Sequence, residues 1–167
     1  NSNGLDLEDS SNFAFSYGMA VLSDNGEMYD GMEVVSGKLE NFNIEKIAKE
    51  AVKDAVDTIG AEPIPSGKYP VVFSNKVMAS MLATFGSIFS AEAAQKGLSL
   101  LKDKEGEQIA TDILTLTDDP MKEDALVKCT FDGEGVATYK KNVIENGKFI
   151  TLLHNLKTAA VAGVKTT

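Results

Sequence analysis

Few side chains in these 167 residues could do chemistry, and their spacing restricts what it could be. The single Cys, Cys129, and the single His, His154, could make a thiolate–imidazole pair for nucleophilic catalysis. A small Cys in an apolar strand is ordinarily a buried packing residue, and a His at a strand end is ordinarily hydrogen-bonded structure. Asp118-Asp119 and the pair Asp132 and Glu134 could hold a cation or act as an acid/base couple. Adjacent strand residues point to opposite faces, which separates Asp118 from Asp119. Just before Pro120 both read better as turn formers. Asp132-Gly133-Glu134-Gly135 is far shorter than the calcium loop of an EF-hand, so turn chemistry is the simpler reading. Met78, Met81, Met121 and Phe89 could line an adaptable peptide surface, but at helical spacing they read as core.

The elements that must position these residues make an α+β chain. Phe13–Leu22 and Glu27–Val35 read as strands around Asp24-Asn25-Gly26, whose Asn and Gly tolerate positive φ. Ile44, Ile47, Ala48, Ala51, Val52, Ala55, Val56 and Ile59 recur at three- and four-residue spacing and predict a helix. Asn43 is its expected N-cap and Gly60 its stop. Pro63, Pro65 and Gly67 break regular structure. The chain therefore divides into a hairpin-and-helix unit over 1–62, a linker over 63–67 and a second unit over 68–167.

In the second unit a strand–helix–strand run is expected first. It has a short strand over Tyr69–Phe73, a helix capped by Asn75 and running to about Gln95, and a strand over Ile113–Thr117. Val77, Met78, Met81, Leu82, Phe85, Ile88 and Phe89 would lie on the buried side of that helix, with Gly86 permitting a bend or close approach. Lys102–Gly106 reads as an exposed loop and Leu126–Phe131 as a strand. Val136–Ile144 and Lys148–Leu153 flank Asn146-Gly147, a strong signal for an antiparallel hairpin. A helix over Asn155–Ala162, closed by Gly163, follows.

Composition excludes several classes. The net charge is −9, and all 16 basic residues are Lys. Without Arg, the usual residue for bidentate phosphate and base contacts, direct nucleic-acid binding is not expected. No apolar run approaches the ~20 residues that span a bilayer. One Cys allows no internal disulfide and suits a reducing, cytoplasmic location. A start at Asn1-Ser2-Asn3-Gly4, without Met, suggests a piece of a longer protein.

The order of motifs carries a resemblance. NSNG, IAKEAVKDAVDTIGAEPIPSGKYPVVF, MLATFGSIFS, GEQIATDILTLTDDP, CTFDGEGVATYKKNVIENGKF and KTAAVAG follow one another from Asn1 to Gly163. This succession resembles the TldD/PmbA family, whose members are also labelled modulators of DNA gyrase. The resemblance implies a middle region joined to the start of a C-terminal domain. TldD-type members are zinc peptidases with a His-Glu-x-x-x-His motif on the helix that here reads MLATFGSI. The two histidines would fall on Ala83 and Ile88 and the glutamate on Thr84, none of which suits zinc. The family's Cys ligand lies further along, so Cys129 does not stand for it.

The resemblance thus implies a PmbA-type chain with no catalytic or metal residue and no cofactor of its own, zinc belonging to a TldD-type partner. Such a chain, as a heterodimer or homodimer, would help form a cavity for peptides or unfolded protein. Asp132, Gly133, Glu134 and Gly135, in the most family-like stretch, would shape that cleft or a subunit contact, or make a tight turn. An active metallopeptidase with ligands elsewhere and a scaffold without a peptidase partner are the alternatives.

Overall fold

A computed structural model describes residues 4–123, 125 and 127–167. It is α+β and forms two compact units. The first is built on Ser10–Tyr69. Its strands β1 (Ala14–Asp24) and β2 (Glu27–Gly37) pair antiparallel, from Asp24↔Glu27 at the turn to Ala14↔Gly37 at the open end. Asn25 and Gly26 sit at φ 49° and 87°, the left-handed pair that matches the twist of a two-residue hairpin. Helix α1 (Ile44–Asp57) is capped by Asn43, whose side chain accepts from the Lys46 amide at 2.9 Å.

Small residues decide how α1 meets the hairpin. Its buried positions are Ile47, Ala51 and Ala55, one seam at four-residue spacing. A Cβ on Gly31 would run into the Ala51 carbonyl and the Ala55 amide, and one on Gly18 would lie 3.0 Å from the Ile47 side chain. The helix backbone therefore rests directly on the glycine. The face with Phe15, Tyr17, Met19 and Val21 stays exposed. The expected apolar stripe on α1 is correspondingly narrower, because Ile44, Val52, Val56 and Ile59 are exposed.

The second unit gathers Pro70–Lys122 and Lys128–Thr167 with the N-terminal segment up to Asp9. Its elements are α2 (Asn75–Phe85), a 3-10 turn over Gly86–Phe89, α3 (Ala91–Gln95), β3 (Leu116–Asp118), β4 (Lys141–Glu145), β5 (Lys148–Phe149) and α4 (Leu156–Ala162). The strands form one antiparallel sheet in the order β3-β4-β5, with a register shift between Leu116 and Thr117. The core collects Phe89, Ala91, Ala94, Leu101, Val143, Ile144, Phe149 and Leu152. The rings of Phe89 and Phe149 lie 6.3 Å apart in a tilted pair. Asn146 and Gly147, at φ 48° and 77°, turn β4 into β5 as expected. Asn155 and Thr158 cap α4 reciprocally, and Gly163 at φ 69° ends it.

Several expectations need correction. No strand forms over 69–73, since these residues find no ladder partner among the described residues and Val72 is 97% exposed. Ser74, not Asn75, caps α2, accepting from the Val77 amide. The single long helix is instead three pieces. At Gly86 it tightens into the 3-10 turn. It then stops so that the Phe89 carbonyl can accept from the Leu153 amide while the Ala91 amide donates to the Leu153 carbonyl. Nothing approaches the Gly86 Cβ position, so that glycine marks the change of helix rather than a close contact.

Helix α2 buries no residue; Val77, Met78, Met81, Leu82 and Phe85 are exposed, as is Met121. Only Phe89 and, partly, Ile88 join the core. The strand expected over 113–117 is reduced to β3, and the hairpin arms to β4 and β5. The strand expected over 126–131 starts at Leu126, which lies outside the described residues; of the rest, Phe131 forms one bridge, to Ala137.

Two substitutions test this packing. Gly31→Val should lower the unfolding temperature of the first unit, a loss of about 1–3 kcal/mol from overpacking. Gly86→Ala, in open space at φ −57°, should gain about 0.4–1 kcal/mol through a stiffer unfolded chain. Thermal unfolding of both variants beside the parent checks each sign.

Candidate functional site

Ala83 and Thr84 are exposed on α2, and Ile88 lies in the 3-10 turn, packed against the core. The Thr84 hydroxyl donates to the Ser80 carbonyl at 2.9 Å. Zinc takes a tetrahedral set of thiolate, imidazole or carboxylate ligands, and no side chain of this trio supplies one. These positions do not fit the ion. Among the described residues, no cluster of three or more His, Cys, Asp or Glu side chains could hold a metal.

The other candidates have separate engagements. The Cys129 thiol donates to the Phe131 carbonyl at 2.6 Å, and the Thr138 hydroxyl donates to the Cys129 carbonyl. His154 is buried, its amide donates to the Thr167 hydroxyl at 2.6 Å, and its carbonyl accepts from the Thr166 hydroxyl at 2.8 Å. No hydrogen bond joins Cys129 to His154 among the described residues. Asp118 pairs with Lys141 at 2.9 Å and Asp119 with Lys140 at 3.2 Å, so the adjacent carboxylates serve different lysines. Asp119 also accepts from the Met121 amide at 3.2 Å, which is turn chemistry around Pro120.

The Asp132–Gly135 segment is a turn with assigned duties. One Asp132 oxygen accepts from the Glu134 amide at 2.8 Å and the Val136 amide at 2.9 Å. The Gly135 amide donates to the Asp132 carbonyl at 3.0 Å. Glu134 reaches across to the first turn of α4 and accepts from the Leu156 amide at 2.8 Å, placing a carboxylate where a helix start favours one. Gly135 sits at φ 80°, and a Cβ there would collide with Leu5. Gly133 has open space around it. Sequence reasoning missed a long-range partner just before this stretch, Asp9. Asp9 accepts from the Thr130 amide at 2.9 Å and its hydroxyl at 2.6 Å, and no local signal links positions so far apart.

Glu92, Lys53 and Tyr29 have shifted ionisation, each through an ion pair or hydrogen bond. The Lys96 ammonium holds the Glu92 carboxyl below its ordinary range, the Asp57 carboxylate raises Lys53, and Glu27 raises the Tyr29 phenol.

Residues 66–167 match the PmbA/TldA metallopeptidase C-terminal domain, and residues 1–59 the central domain of the same family. The chain belongs to the PmbA/TldD family. Among curated relatives of this PmbA/TldD chain, an uncharacterized protein of Methanocaldococcus jannaschii is 33% identical over 100% of the chain, which spans 39% of that relative. The metalloprotease PmbA of Escherichia coli O157:H7 is 24% identical over 88% of the chain and 33% of its own length. A Thermotoga maritima structure described as a candidate modulator of a DNA gyrase superposes with TM-score 0.92 at 40% identity, covering 98% of this chain and 38% of that one. TldE from Thermococcus kodakarensis superposes with TM-score 0.75 at 26% identity over 93% of this chain and 36% of its own. The chain thus spans under two-fifths of the length of these relatives.

The Asp132–Gly135 turn yields a graded expectation. Glu134→Ala bares the Leu156 amide and should cost about 0.5–2 kcal/mol, as lost helix caps do. Gly135→Ala puts a side chain on a left-handed backbone and should cost about 1–2 kcal/mol, the Leu5 side-chain end moving aside. Gly133→Ala should change stability by less than about 0.5 kcal/mol. Chemical denaturation of the three variants gives the order directly.

Proposed function

We propose that this chain is the non-catalytic, PmbA-type member of a peptidase pair. The observation that supports this most is the absence of any zinc-suited side chain at Ala83, Thr84 and Ile88 in a chain that belongs to a metallopeptidase family. Relatives and structural neighbours that carry PmbA and TldE names lend weight to the same reading. In this proposal residues 1–62 belong to the middle region, 63–67 link, and 68–167 open the C-terminal domain. The partner is a TldD-type subunit that brings the zinc, and the location is the cytoplasm. Asp132–Gly135 shapes the cleft through a fixed backbone rather than by touching substrate. The substrate is an extended peptide or unfolded protein, held by main-chain hydrogen bonds that read little sequence.

A second reading, an active metallopeptidase whose ligands lie outside these residues, is favoured by the metalloprotease names of relatives more than twice as long as the chain. Elemental analysis of the full-length protein, purified alone without chelators, separates the two. The expected result is less than about a tenth of an equivalent of zinc, where a structural or catalytic site would hold one. Peptidase activity on an unfolded substrate should then appear only when a TldD-type chain is added. Close to one zinc per chain, or turnover by the protein alone, would overturn the proposal.

A further inference from the structure

The second unit contains a cavity of about 220 Å³ that the peptidase reading leaves unused. Gln95, Lys102, Asp103, Glu105 and His154 supply its polar lining, and small or aliphatic residues such as Ala94 and Leu152 the rest. Sequence reasoning read Lys102–Gly106 only as an exposed loop. Its folding beside His154 is a tertiary fact, with Asp103 in the left-handed region at φ 59°.

His154 is the informative member. It is 8% exposed, and its Nδ1 is buried with no hydrogen-bond partner among the described residues. Buried polar atoms are almost always paired, and the bare, sealed Nδ1 bears on which ring nitrogen carries the hydrogen. Every hydrogen bond that His154 makes among the described residues runs through its backbone. A neutral imidazole carries one hydrogen. With no acceptor for an N–H at the sealed Nδ1, the cheaper tautomer places that hydrogen on Nε2. The ring then offers a donor that no protein group takes.

The charges around it are of both signs. Lys102 and Asp103 form no ion pair among the described residues, while the neighbouring Lys104 takes Glu107. One Glu105 oxygen accepts from the Leu152 amide at 2.7 Å, which ties the loop to the wall and leaves the other oxygen available. A simple anion would meet two carboxylates here, and a simple cation would meet a lysine. A ligand with both charges a few bonds apart satisfies all of them. Drug-sized ligands occupy about 300–1,000 Å³, so this smaller space suits something the size of one residue.

We propose that this cavity binds a free α-amino acid, its carboxylate on His154 Nε2 and Lys102 and its ammonium on Asp103 and Glu105. The alanine and leucine walls favour a small aliphatic side chain. The proposal goes beyond the peptidase reading and stands without it, although a free amino acid is also what exhaustive peptide hydrolysis releases.

Calorimetric titration of the full-length protein with L-alanine and L-leucine tests it, beside N-acetyl-L-leucine, which lacks the ammonium, and L-leucinamide, which lacks the carboxylate. A free amino acid should bind, and both blocked forms should bind at least about tenfold more weakly. Lys102→Met and Asp103→Asn change exposed side chains and should each weaken binding by about tenfold, with unfolding temperatures unchanged. His154→Phe should abolish binding if the variant folds. Absence of binding by either free amino acid up to about 10 mM would overturn the proposal. So would affinity untouched by Lys102→Met, or equal affinity for N-acetyl-L-leucine, which would mark the site as one for the carboxylate end of a peptide.

Discussion

The second unit depends on how the Asn146-Gly147 turn is gripped. The Gly147 amide donates to the Leu114 carbonyl at 2.8 Å, and its carbonyl accepts from Ile109 and Ala110 at 2.9 and 3.1 Å. The Gln108 side chain donates to the Asn146 and Ala110 carbonyls. A Cβ on Gly147 would strike the Ala110 and Thr111 carbonyls, so only glycine admits this approach. Two residues on, Phe149 is bound on both sides of its peptide, to Glu107 and Gly106, and its ring is fully buried. The turn thus sets the register that puts Phe149 against Phe89, and Phe89 fixes where the helical run must end. Backbone pairing and aromatic burial reinforce each other here, as in minimally frustrated folds.

The first unit reaches the same end by subtraction. Removing side chains at Gly18 and Gly31 lets α1 lie on a two-stranded ribbon that could not otherwise cover it. A two-stranded hairpin is marginal by itself, and the helix supplies its second layer. Around Asp132–Gly135 the logic is again structural. Acidic side chains that would suit a metal or an acid/base couple are consumed by amides, at Asp132 within its own turn and at Glu134 on the start of α4. The same segment can be strongly family-like and carry no chemistry, because its geometry organises the fold.

What was legible in the sequence was local. Asn25-Gly26 and Asn146-Gly147 announced two hairpins because few other residues adopt consecutive left-handed angles. Asn43 announced a helix start because its side chain reaches the amide three residues on. What was not legible depended on partners remote in sequence. Tyr69–Phe73 has strand composition, yet a strand exists only where an edge receives it. The periodicity through Asn75–Gln95 suggested one helix, while Leu153 demanded a break. On the hairpin, the strand pattern left the core face open, and the close approach of a helix to Gly18 and Gly31 decides it. The candidate site followed the same rule. The residue types at Ala83, Thr84 and Ile88 could be read from identity alone, whereas the cavity at His154 required knowing where a distant loop lands.

The two Asn-Gly turns also differ in how they will age. Deamidation through a cyclic imide needs the amide nitrogen of the following glycine to attack the asparagine side chain. At Asn146 that nitrogen is already committed to the Leu114 carbonyl, inside a turn held on several sides. At Asn25 no such bond engages the Gly26 amide among the described residues, and the turn is exposed. Of these two turns, chemical wear on a stored sample should therefore reach the tip of the first hairpin, adding negative charge to an already acidic chain and sparing the turn on which the second unit is built.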